Sequence, residues 1–183
     1  MSFRKKIALP VVLALTFGVF AGAVAQADDD HESRERSRHN RSVSALKAPE
    51  NTLYKQECSS CHFLYQPWLL PSRSWQAIMD ESGKHFGENL ALDAETSKEL
   101  LAYLKANSSE KTSARWAQKI TSSSEGMTPK RIMDVPWIKK EHREVGVNVF
   151  KRPSIGSSSN CGACHTKGAE GNFDEDFVKI PKQ

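Results

Sequence analysis

The chain is poor in the residues that build a large core: aromatic residues make up 8% and hydrophobic residues 38% of its 183 positions. Glycine occurs only ten times, which excludes a collagen, and the mixed composition excludes a coiled coil. The single long apolar run, at 7–24, excludes a protein that crosses a membrane several times. Because that run takes a large share of the apolar residues, the remainder needs something besides side chains to complete its core.

The N-terminal segment has the pattern of a secretory signal peptide. Three basic residues at 4–6 precede the apolar run, and Ala-Gln-Ala at 25–27 supplies the small residues that a signal peptidase recognises. We predict cleavage after Ala27 and a periplasmic protein with no stable membrane insertion; an uncleaved anchor is the alternative. Without residues 1–27 the formal charge falls from +4 to about +1, which gives no indication of nucleic-acid binding.

The mature chain is predicted to be mainly α-helical with long irregular loops. Residues 28–48 are charged and polar, so they are predicted to form a disordered tail. Apolar residues then recur at helical spacing over 75–86, with Ser72 or Ser74 as the N-cap. Asp93 is the predicted N-cap of a second helix.

The second half is predicted to contain a linker and one helical region. Residues 108–126 are rich in Ser, Thr, Lys and Glu, which is typical of a connector. Thr128 followed by Pro129 predicts the start of a helix. This helix should be interrupted at Pro136 and continue to about Val145.

The four cysteines lie in two copies of the motif C-x-x-C-H, which is the pattern of covalent c-type haem attachment. Two thiols one helical turn apart can reach both vinyl groups of a porphyrin, and the adjacent His can bind the iron from one side. We therefore predict two covalently bound haem c groups, whose apolar rings supply the missing core. The motif residues are Cys58, Cys61 and His62 in the first copy, and Cys161, Cys164 and His165 in the second.

Three other uses of paired cysteines compete with this interpretation. Two disulfides would suit an exported protein, although a bond across two intervening residues constrains the unfolded chain little. A four-thiolate zinc site would need the two pairs to be much closer in the sequence than they are. A thioredoxin-like redox motif would need a βαβ context, which the sequence lacks. The histidine after each pair favours haem.

Each low-spin iron needs a second axial ligand, which is normally His or Met. His85 follows the first motif near an apolar helical stripe, and His142 lies in the third helical region. We favour His85 for the first haem and His142 for the second. The alternatives that stay open are Met79, Met133, Met127 in Gly-Met-Thr-Pro, and His31 and His39 in the charged tail.

An ordered set of short stretches also runs from Glu57 to Pro181. The first motif continues as Phe-Leu-Tyr-Gln-Pro-Trp-Leu-Leu-Pro; His85 is followed by Phe-Gly; and Asn160 precedes the second motif, with Gly-Asn-Phe at 171–173 after it. In this set the chain resembles the small periplasmic dihaem cytochromes c, which are partners of the sphaeroides-type haem protein.

The resemblance implies two small cytochrome c-type haem domains, of which the N-terminal one resembles a class I cytochrome c. It implies that both haems are bis-histidine, with one pair formed by His62 and His85 and the other by His165 and His142. The predicted organisation is a signal peptide at 1–27, a tail at 28–48, haem domains at 49–107 and 127–183, and a linker at 108–126.

The function that the resemblance implies is electron transfer and not catalysis. The chain would be a low-potential one-electron carrier between a membrane b-type cytochrome and a small soluble c-type haem protein. The alternatives are a small dihaem peroxidase, or a gas or redox sensor with one labile distal ligand. Either alternative needs an open position on one iron, which a second His would fill.

Overall fold

The computed structural model describes residues 46–182. Over this range it contains helices, 3₁₀ turns and loops, and no strands apart from two isolated β-bridges, so the prediction of a mainly α-helical fold with irregular loops is confirmed. The α-helices are α1 (Thr52–Cys58), α2 (Ser72–Asp80), α3 (Ala94–Ala106), α4 (Arg115–Ser123), α5 (Pro136–Glu141) and α6 (Val147–Phe150). The predicted signal peptide and residues 28–45 of the predicted tail lie outside the described residues.

Two helices begin at side-chain caps that the sequence supplies locally. The Asn51 side chain accepts a hydrogen bond from the Tyr54 N–H at the start of α1 (2.8 Å). The Asp93 carboxylate accepts bonds from the N–H groups of Glu95 and Thr96, each 2.9 Å long, at the start of α3. The predicted cap at Asp93 is therefore confirmed, and it satisfies backbone donors that have no partner within the helix.

The predicted serine cap of α2 is wrong. Pro71 occupies the N-cap position and makes no side-chain cap, while Ser72 and Ser74 lie within the first turn. The carboxylate of Glu110, from a distant 3₁₀ turn, accepts the Ser72 N–H instead, at 2.9 and 3.1 Å. An acidic group at a helix start also interacts favourably with the helix dipole.

One continuous hydrophobic cluster fills the part of the molecule built by α1 to α5. Helix α2 packs against α3, and α4 packs against α5. Helix α4 lies inside the predicted linker 108–126, and its Ala117 and Ile120 are fully buried in this cluster. The linker thus holds a packed helix, and the division into two domains remains a prediction. Its buried members include Tyr54, Trp68, Leu70, Trp75, Leu100, Leu104 and Ile120.

The third helical region differs from its prediction at both ends. No helix begins at Thr128; a 3₁₀ turn at Ile132–Asp134 comes first. Pro136 then occupies the first position of α5 and does not interrupt it, because a residue in the first turn needs no intrahelical N–H bond. Helix α5 ends at Glu141, short of Val145.

The chain after α5 has almost no apolar core of its own. Among the described residues, Ile155 is the only buried hydrophobic residue that follows Ile138. Backbone hydrogen bonds join the C-terminal segment to the second motif instead, from Lys179 N–H to the Cys164 carbonyl (2.8 Å) and from Thr166 N–H to the Phe177 carbonyl (3.1 Å). Between residues 46 and 182, no helix has the length and apolar character needed to cross a membrane.

Gly171 is a position where the backbone requires glycine for two reasons. Its φ is +78°, in the left-handed region, and a Cβ atom there would lie 2.8 Å from the carbonyl oxygen of Leu46. Leu46 is buried, and its carbonyl also accepts the indole N–H of Trp68. The second half of the chain therefore packs directly on the start of the described chain.

Replacing Gly171 with Ala is expected to lower the free energy of unfolding by about 2 kcal/mol, because the methyl group brings both backbone strain and a steric clash. Denaturant titration of the holoprotein measures this change. Gly146→Ala is the matched control, since Gly146 has an ordinary φ of −61° and open space around it. A Gly171→Ala variant as stable as Gly146→Ala would contradict the argument.

Candidate haem sites

The two C-x-x-C-H motifs sit at the ends of short helical turns. Cys58 is the last residue of α1, and Cys161 begins a 3₁₀ turn that ends just before Cys164. All four cysteines are free thiols, and burial raises the pKa of Cys58 and of Cys161 to about 11. Within residues 46–182, no group of three or more His, Cys, Asp or Glu side chains could hold a metal ion.

The first motif histidine faces the predicted distal histidine. The ring centroids of His62 and His85 are 6.3 Å apart, and their planes are inclined by 30°. A metal–imidazole bond is about 2 Å long, so two imidazoles on opposite sides of one ion place their centroids about 6 Å apart. The separation of this first histidine pair therefore fits two axial ligands of one iron.

The second motif histidine has an equivalent partner. The ring centroids of His142 and His165 are 5.9 Å apart, with planes inclined by 64°. His142 caps the C-terminus of α5, so the end of a helix fixes its position. The two histidine pairs have similar spacing but different ring orientation, so the haems they would hold are not equivalent.

His85 is held in a tight loop and not on a helix, because α2 ends at Asp80. The loop is closed by a hydrogen bond from the Leu90 N–H to the Ser82 carbonyl (3.0 Å). After His85 the chain turns through two left-handed residues, Phe86 at φ 51° and Gly87 at φ 108°. Such a conformation is easy for glycine and uncommon for a residue with a large side chain such as Phe86.

Arg131 supports this loop from another part of the chain. Its guanidinium carbon lies 4.2 Å from the centroid of the Phe86 ring, which is the geometry of a cation–π contact. The neighbouring Lys130 pairs with the Glu81 carboxylate beside the same loop. The segment before α5 thus fixes the loop that carries the first distal histidine.

Burial keeps two of the paired histidines neutral. It lowers the pKa of His165 to about 4, with a smaller contribution from the nearby His142. Burial also lowers the pKa of His85, with a smaller contribution from His62. The neutral imidazole is the form that binds a metal ion, so both environments favour the ligand state.

Hydrogen bonds orient two of the rings. The Nδ1–H of His62 donates to the Phe63 carbonyl (2.8 Å), and that of His142 donates to the Ile138 carbonyl (2.8 Å). A carbonyl only accepts, so Nδ1 carries the proton and Nε2 is left to bind a metal. The Nδ1 atom of His165 is buried and has no hydrogen-bond partner.

Open space adjoins the first histidine pair on both sides. A cavity of about 550 Å³ lies beside Cys61 and His62 and is bounded by residues 59–63 and 155–160. A smaller cavity of about 220 Å³ adjoins His85 and Phe86. The donor set, the pair spacing and this space fit a porphyrin bound to the first motif, with one wall supplied by the second half of the chain.

The alternative axial ligands occupy other kinds of position. Met79 is buried in the hydrophobic cluster on α2. Met127 is exposed in the loop after α4, and its carbonyl accepts a hydrogen bond from Arg73. His31 and His39 lie outside the described residues. Each motif histidine is thus paired with the histidine predicted for it, and the ligand assignment itself remains a proposal.

The sequence analysis missed three aromatic residues that connect the motifs. Phe63 and Tyr65 lie one and three positions after His62, and Phe173 lies eight positions after His165. The ring centroids of Tyr65 and His62 are 4.9 Å apart, and those of Phe173 and His165 are 5.2 Å apart. Their closeness to the motifs in the sequence was the available signal, but no periodicity places residues from opposite ends of the chain in contact.

Comparison with known proteins gives one consistent result. Residues 54–173 match the family described as dihaem cytochrome c, and this range includes both motifs and both histidine partners. The chain is similar to the diheme cytochrome c from Rhodobacter sphaeroides, with 37% sequence identity and a TM-score of 0.61, over 69% of this chain and 99% of that one. It is also similar to a diheme cytochrome type c from Shewanella baltica OS155, with 32% identity and a TM-score of 0.59, over 73% and 94% of the two chains. No curated protein matches the chain.

Proposed function

Because the chain belongs to the dihaem cytochrome c family, we propose that it is a low-potential one-electron carrier of the periplasm. The observation that carries this proposal is the pairing of each motif histidine with a second histidine at ligand spacing. Two imidazoles leave an iron with no open position and a lower reduction potential than a thioether ligand does. Such a site exchanges electrons and binds no substrate.

The family carries two covalently bound haem c groups, and Cys58 with Cys61 and Cys161 with Cys164 fit its attachment motif. We assign His62 and His85 to the first iron, and His142 and His165 to the second. When bound, each haem supplies a reversible Fe(III)/Fe(II) couple. The protein's part is to hold the rings at fixed spacing, keep the imidazoles neutral and exclude water from the apolar faces.

The test of this function combines carbon monoxide binding with a redox titration of the holoprotein. We expect both haems to titrate as one-electron centres at low potential, and the reduced protein to bind little carbon monoxide, because both axial positions of each iron are filled. Visible spectra record both properties. Rapid carbon monoxide binding at one haem would favour the peroxidase or sensor alternatives and overturn the carrier proposal.

The partners that we propose are a membrane b-type cytochrome as donor and a small soluble c-type haem protein as acceptor. A carrier with a low reduction potential would accept an electron from the membrane donor and pass it on to the haem acceptor. The porphyrin carboxylates would make the holoprotein net acidic, since the mature chain is nearly neutral. Long-range charge of this kind steers docking and speeds association.

The proposed location follows from the N-terminal sequence and not from the described residues. Cleavage after Ala27 would release the carrier into the periplasm, where c-type haems are attached. The intact mass of the purified holoprotein tests this directly, since it reports both the cleavage position and the number of haems.

A further inference from the structure

The two haem-binding segments touch each other directly. The ring of Phe63, which follows the first motif, rests on the backbone of the second. A Cβ atom built on Gly162 would lie 3.0 Å from Cδ2 of Phe63, and one built on Gly168 would lie 3.2 Å from its Cζ. Gly162 stands between the two cysteines of the second motif, so the ring packs against the attachment turn itself.

Tyr65 makes a second contact between the segments. Its hydroxyl donates to the carbonyl of Ser159, 2.7 Å away and two residues before Cys161. Burial raises the pKa of Tyr65 to about 12, so the hydroxyl stays protonated and remains a donor at neutral pH. Its ring lies against His62, so one residue joins the first axial histidine to the second attachment turn.

Phe173 completes a continuous series of rings between the two motif histidines. The centroids of Phe63 and Tyr65 are 5.8 Å apart, and those of Phe63 and Phe173 are 6.5 Å apart. Phe173 in turn contacts His165. All of these separations lie in the range in which aromatic rings attract one another. We call Phe63, Tyr65 and Phe173 the aromatic bridge.

The bridge is attached to the first axial ligand through the backbone as well. The Phe63 carbonyl accepts the Nδ1–H of His62, so any movement of Phe63 is transmitted to that imidazole. Bonds of this kind set the orientation and basicity of an iron-bound histidine. A shift of the second attachment turn, which Phe63 touches at Gly162, would therefore reach the first ligand.

We propose that the aromatic bridge holds the two haem sites at a fixed separation, so that the redox state of one site shifts the midpoint potential of the other. This inference rests on the function proposed above. One electron leaves one iron and arrives at the other, and no atoms are transferred. An added electron repels a second electron more strongly when the separation between the two sites is short and fixed. The shift must be the same in both directions.

The three residues are positioning residues, and a redox titration that resolves the two haems tests their role. Different ring orientations in the two histidine pairs make the haems distinguishable by paramagnetic resonance. We expect the wild type to show an interaction shift: each haem has a lower midpoint potential when the other is reduced. Tyr65→Phe removes the bond to Ser159 but keeps the ring, and part of the shift should be lost.

Gly162→Ala is a second, independent variant. It keeps the C-x-x-C-H spacing and the Tyr65 hydroxyl, and its methyl group pushes against the Phe63 ring. Part of the interaction shift should again be lost, and electron exchange between the haems should become slower. Because this variant leaves the tyrosine untouched, it decides the question even if Tyr65→Phe folds poorly.

The matched control is Tyr103→Phe. Tyr103 also donates its hydroxyl to a backbone carbonyl, that of Pro49, 2.8 Å away, and it contacts neither motif histidine. The interaction shift should be unchanged in this variant. An equal loss in the control would mean general loosening and would overturn the proposal, as would a full wild-type shift in both bridge variants. A high-spin haem in the wild type would instead count against the bis-histidine carrier and not against the bridge.

Discussion

Replacing His85 with Ala is expected to convert the first haem from low spin to high spin, and replacing His142 with Ala should do the same to the second. Each change removes one of two imidazoles at ligand spacing, while the thioether bonds and the motif histidine stay in place. The opened position should then bind carbon monoxide rapidly. Visible and paramagnetic resonance spectra of the holoproteins record the spin state of each haem.

Two control variants separate ligand loss from general damage. Met127→Leu should leave both haems low-spin, because this side chain is exposed in a loop. His39→Ala should also leave the spectra unchanged. If His85→Ala and His142→Ala stay wholly low-spin at neutral pH, the distal assignment is wrong, and a thioether absorption band lost in Met127→Leu would identify the replacement ligand.

Replacing Cys161 and Cys164 with Ala is expected to unfold residues 147–182 locally while α2 to α5 stay folded. The reason is that nearly all buried hydrophobic residues lie at or before Ile138. The described chain beyond Ile138 buries only one, Ile155. A segment with so few buried apolar side chains is expected to have a local unfolding free energy near zero without its haem. Hydrogen exchange read by mass spectrometry, on protein shown to hold one haem, measures this loss region by region.

Replacing the cysteines of the first motif with Ala is expected to have a different effect on hydrogen exchange. Removing Cys58 and Cys61 should expose α1 and the first motif to exchange but leave α2 and α3 protected, because their packing depends on side chains such as Trp75 and Leu100. If residues 147–182 stay as protected without the second haem as with it, the segment folds through its protein contacts and the argument from composition fails.

The parts of the structure that the sequence predicted are those set by local chemistry. The C-x-x-C-H spacing predicts the attachment residues, which fit the motif of the family. Asp93 caps α3 because a carboxylate can reach the free N–H groups of its own first turn. The pairing of His85 with His62 also followed the prediction, although the ring lies in a loop with left-handed residues and not on the predicted helix.

The parts that escaped prediction depend on contacts between distant residues. Glu110 caps α2 from outside the helix, so the nearby serines gave a misleading signal. Residues 108–126 look like a linker by composition, yet burial of Ala117 and Ile120 stabilises a helix there. The contact between Phe63 and Gly162 joins positions almost a hundred residues apart, and no local pattern in the sequence encodes it.

The cleft beside Cys61 is assembled in two stages because of where its walls lie in the chain. The wall that carries the attachment thiol is synthesised first, and residues 155–160 of the facing wall follow about ninety positions later. A haem attached to the first motif would therefore be enclosed only after the later residues have packed beside it.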